Sequence, residues 1–437
     1  MERLLDLALQ HASSAEVYQA SSESAVVHFE ANKLKQLENR QASSVAIRIV
    51  LDGRIGFAAA SGAYDPERLV AMAVETAAYG AEARFSFPAA AAYMVGKTYD
   101  SRIVEMETDS LVQMGMDIID GVTAEFPDVQ CEGMVTIGAG MVRILNSMGL
   151  DVSSRRTSMA AAMEGVRISG TDMLFVGDGI SSGELLVDAS PVARTMLSQL
   201  ARATQLAHIE TGTYPVLFTP HGVDAALLLP LAVAFNGKNV LEQSSRLAGR
   251  RGEQLFAPAF SLWDDPTVEG RPTSAPFDAE GVASRRIPLI QAGVVGEYLY
   301  DLQTGAEAGE GSTGSGRRAD ARSQVRPGMS AFVLSEGDTP FEEMLGSMDD
   351  GLVVEELIGA GQGNLLSGDF GGNVLLGYKV ERGKIVGRVK DTMIAGNIMN
   401  ALSGDVVVGN DTRWVGGNLR TPSLLCDGVS VSSKGGD

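Results

Sequence analysis

Fifty-one glycines in 437 residues constrain this chain more than any other feature. An ordinary globular protein carries about 7% glycine. The excess follows no Gly-X-Y period, so it marks turns, hairpins and loops, and it excludes collagen-like and long-helical architectures. The glycines are densest after Tyr214, where they and the prolines punctuate short apolar runs. One stretch concentrates the pattern. Gly293 to Gly316 reads GVVGEYLYDLQTGAEAGEGSTGSG. It opens as an alternating strand, with Val295, Tyr298 and Tyr300 among polar neighbours, and then becomes a loop of glycine, serine and threonine. Such a loop suits a backbone held close to something else.

At this length two domains are the default. Residues 2–12 place Leu4, Leu5, Ala8 and Leu9 at helical spacing. Strands are expected at Glu16–Ala20 and Ala25–Ala31. A hairpin follows, folded about Asp52-Gly53, a favoured tight-turn pair. Asp65 and Pro66 predict the N-cap and first turn of a helix to about Ala83. The small residues from Phe87 to Val95 read as a linker. Further helices are predicted over Asp109–Glu125 and Ser190–Leu206, with strands between Val129 and Ile180. Residues 1–210 therefore read as an α+β domain with an antiparallel sheet. Past Tyr214–Thr219, a strand, a helix spans His221–Phe235. Short strands dominate to the end, apart from a helix at Phe341–Met348 and a turn at Ile398–Leu402. Residues 211–437 read as a β-rich domain, and the fold class as α+β.

Charge and cysteine usage exclude several functions. The formal net charge is -20, from 55 acidic and 35 basic side chains. Such a surface repels phosphates, so direct nucleic-acid binding is not expected. Cys131 and Cys426 form no CxxC pair and read as reduced, buried thiols of a cytoplasmic protein. The first residues, MERLLDLALQHASSAEVY, lack the pattern of an export signal. The longest apolar run, Ala225–Phe235, is too short to cross a bilayer and contains Pro230.

Three glycine motifs imitate nucleotide sites. Gly309-Glu310-Gly311-Ser312-Thr313-Gly314 matches GxGxxG, but SGRRADARSQVRPG follows it with no helical stripe to receive a pyrophosphate. Gly359-Ala360-Gly361-Gln362-Gly363 runs into NLLSGDFGG. Gly237-Lys238 resembles the end of a P-loop, but position 232 is Ala and Asn239 replaces the magnesium-binding hydroxyl. The four histidines, His11, His28, His208 and His221, form no close pair on a helix, and zinc needs three or four convergent ligands. The arginines at 317, 318, 322 and 326 suit bidentate carboxylate binding, including a peptide C-terminus. A solvated loop balancing an acidic surface explains them with fewer assumptions. Asp391, Asn397, Asn410 and Asp411 fit either a site lining or turn-forming roles.

The Gly293–Gly316 segment and SGDFGGNVLLGYKVERGKIVGRVKDTMIAGN at 367–397 together resemble the TldD/PmbA family. Its members were long labelled modulators of DNA gyrase and are now regarded as peptidase components. The resemblance spans nearly the whole chain. It implies a choice between two branches. TldD carries His-Glu-x-x-x-His on a helix of the second domain, with a later cysteine as metal ligand. TldE/PmbA shares the fold without that motif, and the two pair to degrade unstructured peptides. Here the corresponding helix reads HGVDAALLLPLAVAF. Leu227 to Ala234 include no His and no Glu, and Cys426 falls too late for the ligand position.

The chain thus resembles the TldE/PmbA branch, and no catalytic or metal residue carries over. No cofactor is expected in this chain, and zinc is expected in a TldD-like partner. The expected partners are that catalytic subunit, or a second copy in a dimer, and unfolded peptides. The alternative is a stand-alone homodimer modulating DNA gyrase or another target. By its place after the signature strand, the loop with Gly311, Ser312, Thr313, Gly314, Arg317 and Arg318 is the candidate lining of a peptide cavity, and is expected to be mobile.

Overall fold

The computed structural model describes residues 1–93 and 96–434. The N-terminal part is built on one antiparallel sheet of six long strands: β1 (Ser14–Glu30), β2 (Lys33–Leu51), β3 (Arg54–Ser61), β4 (Val129–Asn146), β5 (Asp151–Ser169) and β6 (Asp172–Ser182). They run in the order β3-β2-β1-β4-β5-β6. The turn at Asp52-Gly53 joins β2 to β3 with φ values of 50° and 73°, the primed-turn geometry expected from that pair. The two strands expected at 16–20 and 25–31 are one. Ser21 to Ser24 have low strand propensity, but each is paired on both sides, to β2 and to β4. Sheet context overrides local preference there.

Odd-numbered residues of β1 face three helices. Ala15 and Val17 pack with the helices Glu2–Leu9 and Pro66–Ala77; Val27 and Phe29 pack with Thr108–Thr123. Asp65 caps its helix by accepting from the Glu67 and Arg68 amides, with Pro66 in the first turn, as the sequence predicts. Even-numbered residues face the other way. Tyr18, Ala46 and Ile144 there meet Phe277, from the C-terminal part. Residues 87–93 of the expected linker are irregular, and the rest of it, Met94 and Val95, lies outside the described residues.

Beyond residue 210, five strands pair in a ring: Gly212–Phe218, Asp350–Ile358, Asp369–Glu381, Thr392–Asn397 and Leu424–Ser433. Gly212–Phe218 and Asp350–Ile358 are parallel to each other. Alternate side chains serve two cores. Val216, Phe218, Leu352, Val354 and Phe370 join the apolar side of residues 220–235. Leu217, Val353, Tyr378 and Leu425 pack with the helices Thr108–Thr123 and Ser190–Arg202. Burial on both faces explains why these strands read as nearly continuous apolar runs. A second sheet, of six short strands, orders Val294–Val295, Ile287–Gln291, Leu262–Asp264, Phe332–Leu334, Leu419–Thr421 and Arg413–Val415 side by side. The fold is α+β.

Two expectations fail locally. The helix foreseen over His221–Phe235 is broken. Pro220–Val223 and Leu229–Ala234 are α-helical, and Asp224–Leu228 between them forms a wider π turn. Pro230 has no N–H to donate and its ring crowds the preceding turn, so the widened turn makes room. Tyr298 and Tyr300 are buried but lie beyond the strand, which ends at Val295. The "loop" after them opens with a helix, Leu302–Ala308, nucleated by a capping box between Asp301 and Thr304.

Phe370 stacks edge-on against Phe218 at 6.0 Å inside the ring of strands. Phe370→Ala should destabilise the protein by about 3–5 kcal/mol, read as a lower denaturant midpoint. A change below about 1 kcal/mol would show that this pair does not anchor the ring.

Candidate functional site

The candidate loop divides in two. Its first half is pinned rather than mobile. The Glu310 and Gly311 amides donate to the Gly305 carbonyl at 3.0 Å, and Ser312 Oγ donates to the Tyr300 carbonyl at 3.2 Å. Thr313 Oγ1 accepts from the Tyr300 amide at 2.8 Å. Gly314 has φ 76°, and a Cβ there would lie 2.8 Å from the Ala283 carbonyl oxygen. Thr313, Gly314 and Ser315 are buried. Hydrogen bonds to the backbone do what apolar anchors would do elsewhere, which composition could not reveal.

The second half reaches a cavity. Gly316, Arg317 and Arg318 line about 240 Å³ between the even-residue face of the N-terminal sheet and segments 273–279 and 329–330. The sheet contributes Tyr18, Gly140, Val142, Ser154 and Arg156. Of the six candidate residues, only Arg317 and Arg318 are on this lining; Gly311, Ser312, Thr313 and Gly314 brace it from behind.

Beside the cavity lies a buried ion network. Arg48 Nη1 donates to Glu280 Oε1 at 2.6 Å and Nη2 to Glu16 Oε2 at 3.1 Å. Arg318 Nη2 donates to Glu16 Oε1 at 3.3 Å. The Arg48 guanidinium sits 4.8 Å from the Phe85 ring centre, and that of Arg318 4.5 Å from Tyr18. Burial raises the Glu16 pKa despite both guanidiniums. Burial opposes the charge on Arg48, but Glu16 and Glu280 outweigh it and hold the guanidinium protonated. The solvated loop expected at Arg317–Arg326 is therefore wrong for Arg318, whose side chain is 3% exposed. Sequence inspection missed Glu16, Arg48 and Glu280. A charge inside the apolar run VAIRIVL was the available signal, since Arg48 sits among the buried Val45, Ala46, Ile47 and Ile49.

A second polar cluster surrounds the start of the broken helix. His221 Nε2 lies 3.0 Å from Asp178 Oδ1 on β6. Arg413 Nη2 donates to both Asp178 oxygens, at 2.7 and 2.8 Å. Thr219 caps the helix through the Gly222 amide and donates to Glu355 Oε2 at 3.2 Å. His221 thus takes its partner, Asp178, from a distant strand rather than from its own helix. Burial opposes ionisation of Asp178, but His221 and Arg413 outweigh it and bring its pKa down to about 2. Burial also opposes the imidazolium, yet Asp178 wins and the His221 pKa rises.

A metal does not fit these residues. Among the described residues, no three His, Cys, Asp or Glu side chains converge to hold an ion. Leu227, Pro230, Leu231 and Ala234 are buried in the apolar core. Cys131 and Cys426 are unpaired and buried, as expected. The turn residues are structural: Asn397 caps the Met399 amide, and Asp411 accepts from the Ser423 amide and hydroxyl. No GxGxxG-like motif opens a helix suited to a dinucleotide; the helix Leu302–Ala308 precedes its glycines rather than following them.

The His221–Asp178 pair makes stability pH-dependent. A raised histidine pKa contributes stability below its unfolded value, lost as pH rises through the folded pKa; the lowered Asp178 pKa contributes stability lost as pH falls towards about 2. His221→Gln should therefore cost about 1–3 kcal/mol near pH 6, with the penalty shrinking above neutrality. Denaturant midpoints across pH give the answer, and a penalty constant from pH 5 to pH 9 would contradict it.

The chain matches two family models: the PmbA/TldA metallopeptidase C-terminal domain over residues 211–433, and domain 1 of the same family over residues 15–77. It is 24% identical to an uncharacterized protein of Methanocaldococcus jannaschii, covering 99% of this chain and 100% of that one. Its structure superposes on TldE from Thermococcus kodakarensis with a TM-score of 0.88, at 22% identity over 99% of this chain and 100% of the other. It superposes equally well, at 0.88 and 25% identity, on a Thermotoga maritima protein described as a proposed modulator of a DNA gyrase, over 99% of each chain. With more than half its length matched by the C-terminal domain model, the chain belongs to the PmbA/TldD metallopeptidase family.

Proposed function

We propose that this protein is a TldE/PmbA-like, non-catalytic subunit of a peptidase complex that degrades unstructured peptides. The observation that carries the reading is the broken helix at 220–235. It occupies the place where the family resemblance puts the metal motif, and its inward side chains only pack. Peptide hydrolysis needs an activated water and stabilisation of the developing oxyanion. No constellation among the described residues supplies both, so the chemistry belongs to a TldD-like, zinc-bearing partner. This chain then shapes the enclosure and holds substrate. The outer edges of β3 and β6 are partly covered by the chain itself, at Ile55 and Phe57 by Ala81 and Thr76 and at Gly177 by Gln199, so main-chain addition of an extended peptide is confined to the rest of those strands.

Membership of a metallopeptidase family supports this assignment. The -20 charge argues against direct contact with DNA. No helix among the described residues is long and apolar enough to cross a membrane. The two unpaired, buried cysteines support a cytoplasmic location. Its two proposed domains divide near residue 210, between the helix Ser190–Arg202 and the strand Gly212–Phe218.

Co-expression with a TldD-like protein of the same organism tests the proposal. A stable heterodimer by mass measurement, with cleavage of an unfolded peptide that chelator abolishes, is the expected result. The isolated chain should bind no stoichiometric zinc and cleave nothing. About one zinc per purified chain, or chelator-insensitive cleavage by the chain alone, would refute it.

A further inference from the structure

We propose that the cavity between the N-terminal sheet and segments 273–279, 316–318 and 329–330 is a binding site for a monoanionic carboxylate, gripped chiefly by Arg317. Three observations converge on it. First, the cavity concentrates cationic donors. Arg156, Arg317 and Arg318 line it, with hydroxyls from Thr273, Ser154 and Ser330. Second, those donors are not used up. Nε and Nη2 of Arg317, Nε of Arg318 and Oγ1 of Thr273 are buried without a hydrogen-bond partner among the described residues. A buried guanidinium left with idle donors is costly, and a planar two-oxygen acceptor matches its fork.

Third, the nearby acids other than Asp264 are committed elsewhere. Asp278 Oδ1 accepts from the Glu280 and Val282 amides and Oδ2 from the Gly316 amide. Glu16 and Glu280 are taken by Arg48, and Glu16 by Arg318 as well. Asp264 Oδ1 accepts from the Ser330 and Ala331 amides behind the cavity, and its Oδ2 has no hydrogen-bond partner among the described residues.

Size and charge select the ligand. At about 240 Å³ the cavity falls below the range of about 300–1,000 Å³ usual for drug-sized molecules. A small acid or one terminal residue of a peptide fits that space. Phe277, Val142, Met329 and the Tyr18 ring provide apolar wall for a short side chain. Asp278 on the lining and Asp264, Glu16 and Glu280 close behind it would repel a dianion, so a singly charged carboxylate is favoured over phosphate. The two sources of that chemistry are a free short acid and the C-terminus of a peptide. The inference stands apart from the subunit assignment, because binding is read on this chain alone.

Calorimetric titration of the purified chain with sodium acetate, N-acetyl-trialanine acid, its C-terminal amide and inorganic phosphate tests it. The peptide acid should bind at least about tenfold tighter than the amide. Arg317→Gln should weaken acid binding by about tenfold or more. Arg317→Lys, which keeps charge but loses the fork, should fall between. Tighter binding of the peptide acid than of acetate identifies a peptide C-terminus as the source; acetate binding without peptide binding identifies a free acid. Equal and measurable binding of the peptide acid and its amide, no binding of either acetate or the peptide acid at concentrations on the order of 10 mM, phosphate tighter than acetate, or wild-type binding by Arg317→Gln would each overturn the proposal.

Discussion

One buried guanidinium fixes the register of the N-terminal sheet against segment 277–280 of the C-terminal part. Arg48 comes from β2, Glu16 from β1, and Glu280 from a segment more than two hundred residues later. Burying a charged triad rarely adds net stability, because desolvation offsets most of the attraction. Breaking it is another matter, since any sliding of the two parts would leave a carboxylate or the guanidinium unpaired in a low-dielectric interior. The triad thus acts less as glue than as a positional stop. Phe277 supplies the non-directional part of the contact and the ions fix its register. Leu302 adds a fourth connection by donating its amide to Glu280 Oε2 at 2.7 Å, tying the start of the helix Leu302–Ala308 to the same point.

That arrangement explains how the glycine-rich segment can be ordered while lacking apolar anchors. Its helix begins where Glu280 holds it, its glycines turn at positive φ, and its hydroxyls bond back to Tyr300. Gly305 shows why glycine is required rather than merely allowed. A Cβ there would come within 2.2 Å of the Gly311 carbonyl oxygen, so the turn closes only without one. Composition correctly reported that backbone approaches something closely at this point. It could not report that the neighbour is the chain itself.

Legibility followed the range of the interactions. Features set within a few residues could be read directly. The Asp65 cap, the Asp52-Gly53 turn and the helices Thr108–Thr123 and Ser190–Arg202 each carry their own local signal. The fold class followed from the same patterns. Features set by distant partners could not be read. Ser21–Ser24 became strand because two neighbours pair with them; Arg318 became buried because Glu16 lies opposite; His221 acquired Asp178 from β6. Between these extremes stands the helix 220–235. Its lack of metal ligands was plain in the letters, whereas its π turn arises from the conflict between Pro230 and an otherwise helical apolar run.

The two polar clusters also differ in what they leave unsatisfied, and this separates structure from function. Around Asp178, both carboxylate oxygens are occupied by Arg413 and one by His221 as well, so the cluster closes on itself. Such a set orients elements and titrates, but offers nothing to a ligand. Around Arg317, Asp278 is taken up by backbone amides and Glu16 and Glu280 by Arg48, while guanidinium donors and Asp264 Oδ2 remain idle. Native interiors satisfy nearly all buried polar atoms. A group of exceptions converging on one cavity, at the seam fixed by Arg48, is therefore the place where the fold has kept binding capacity in reserve.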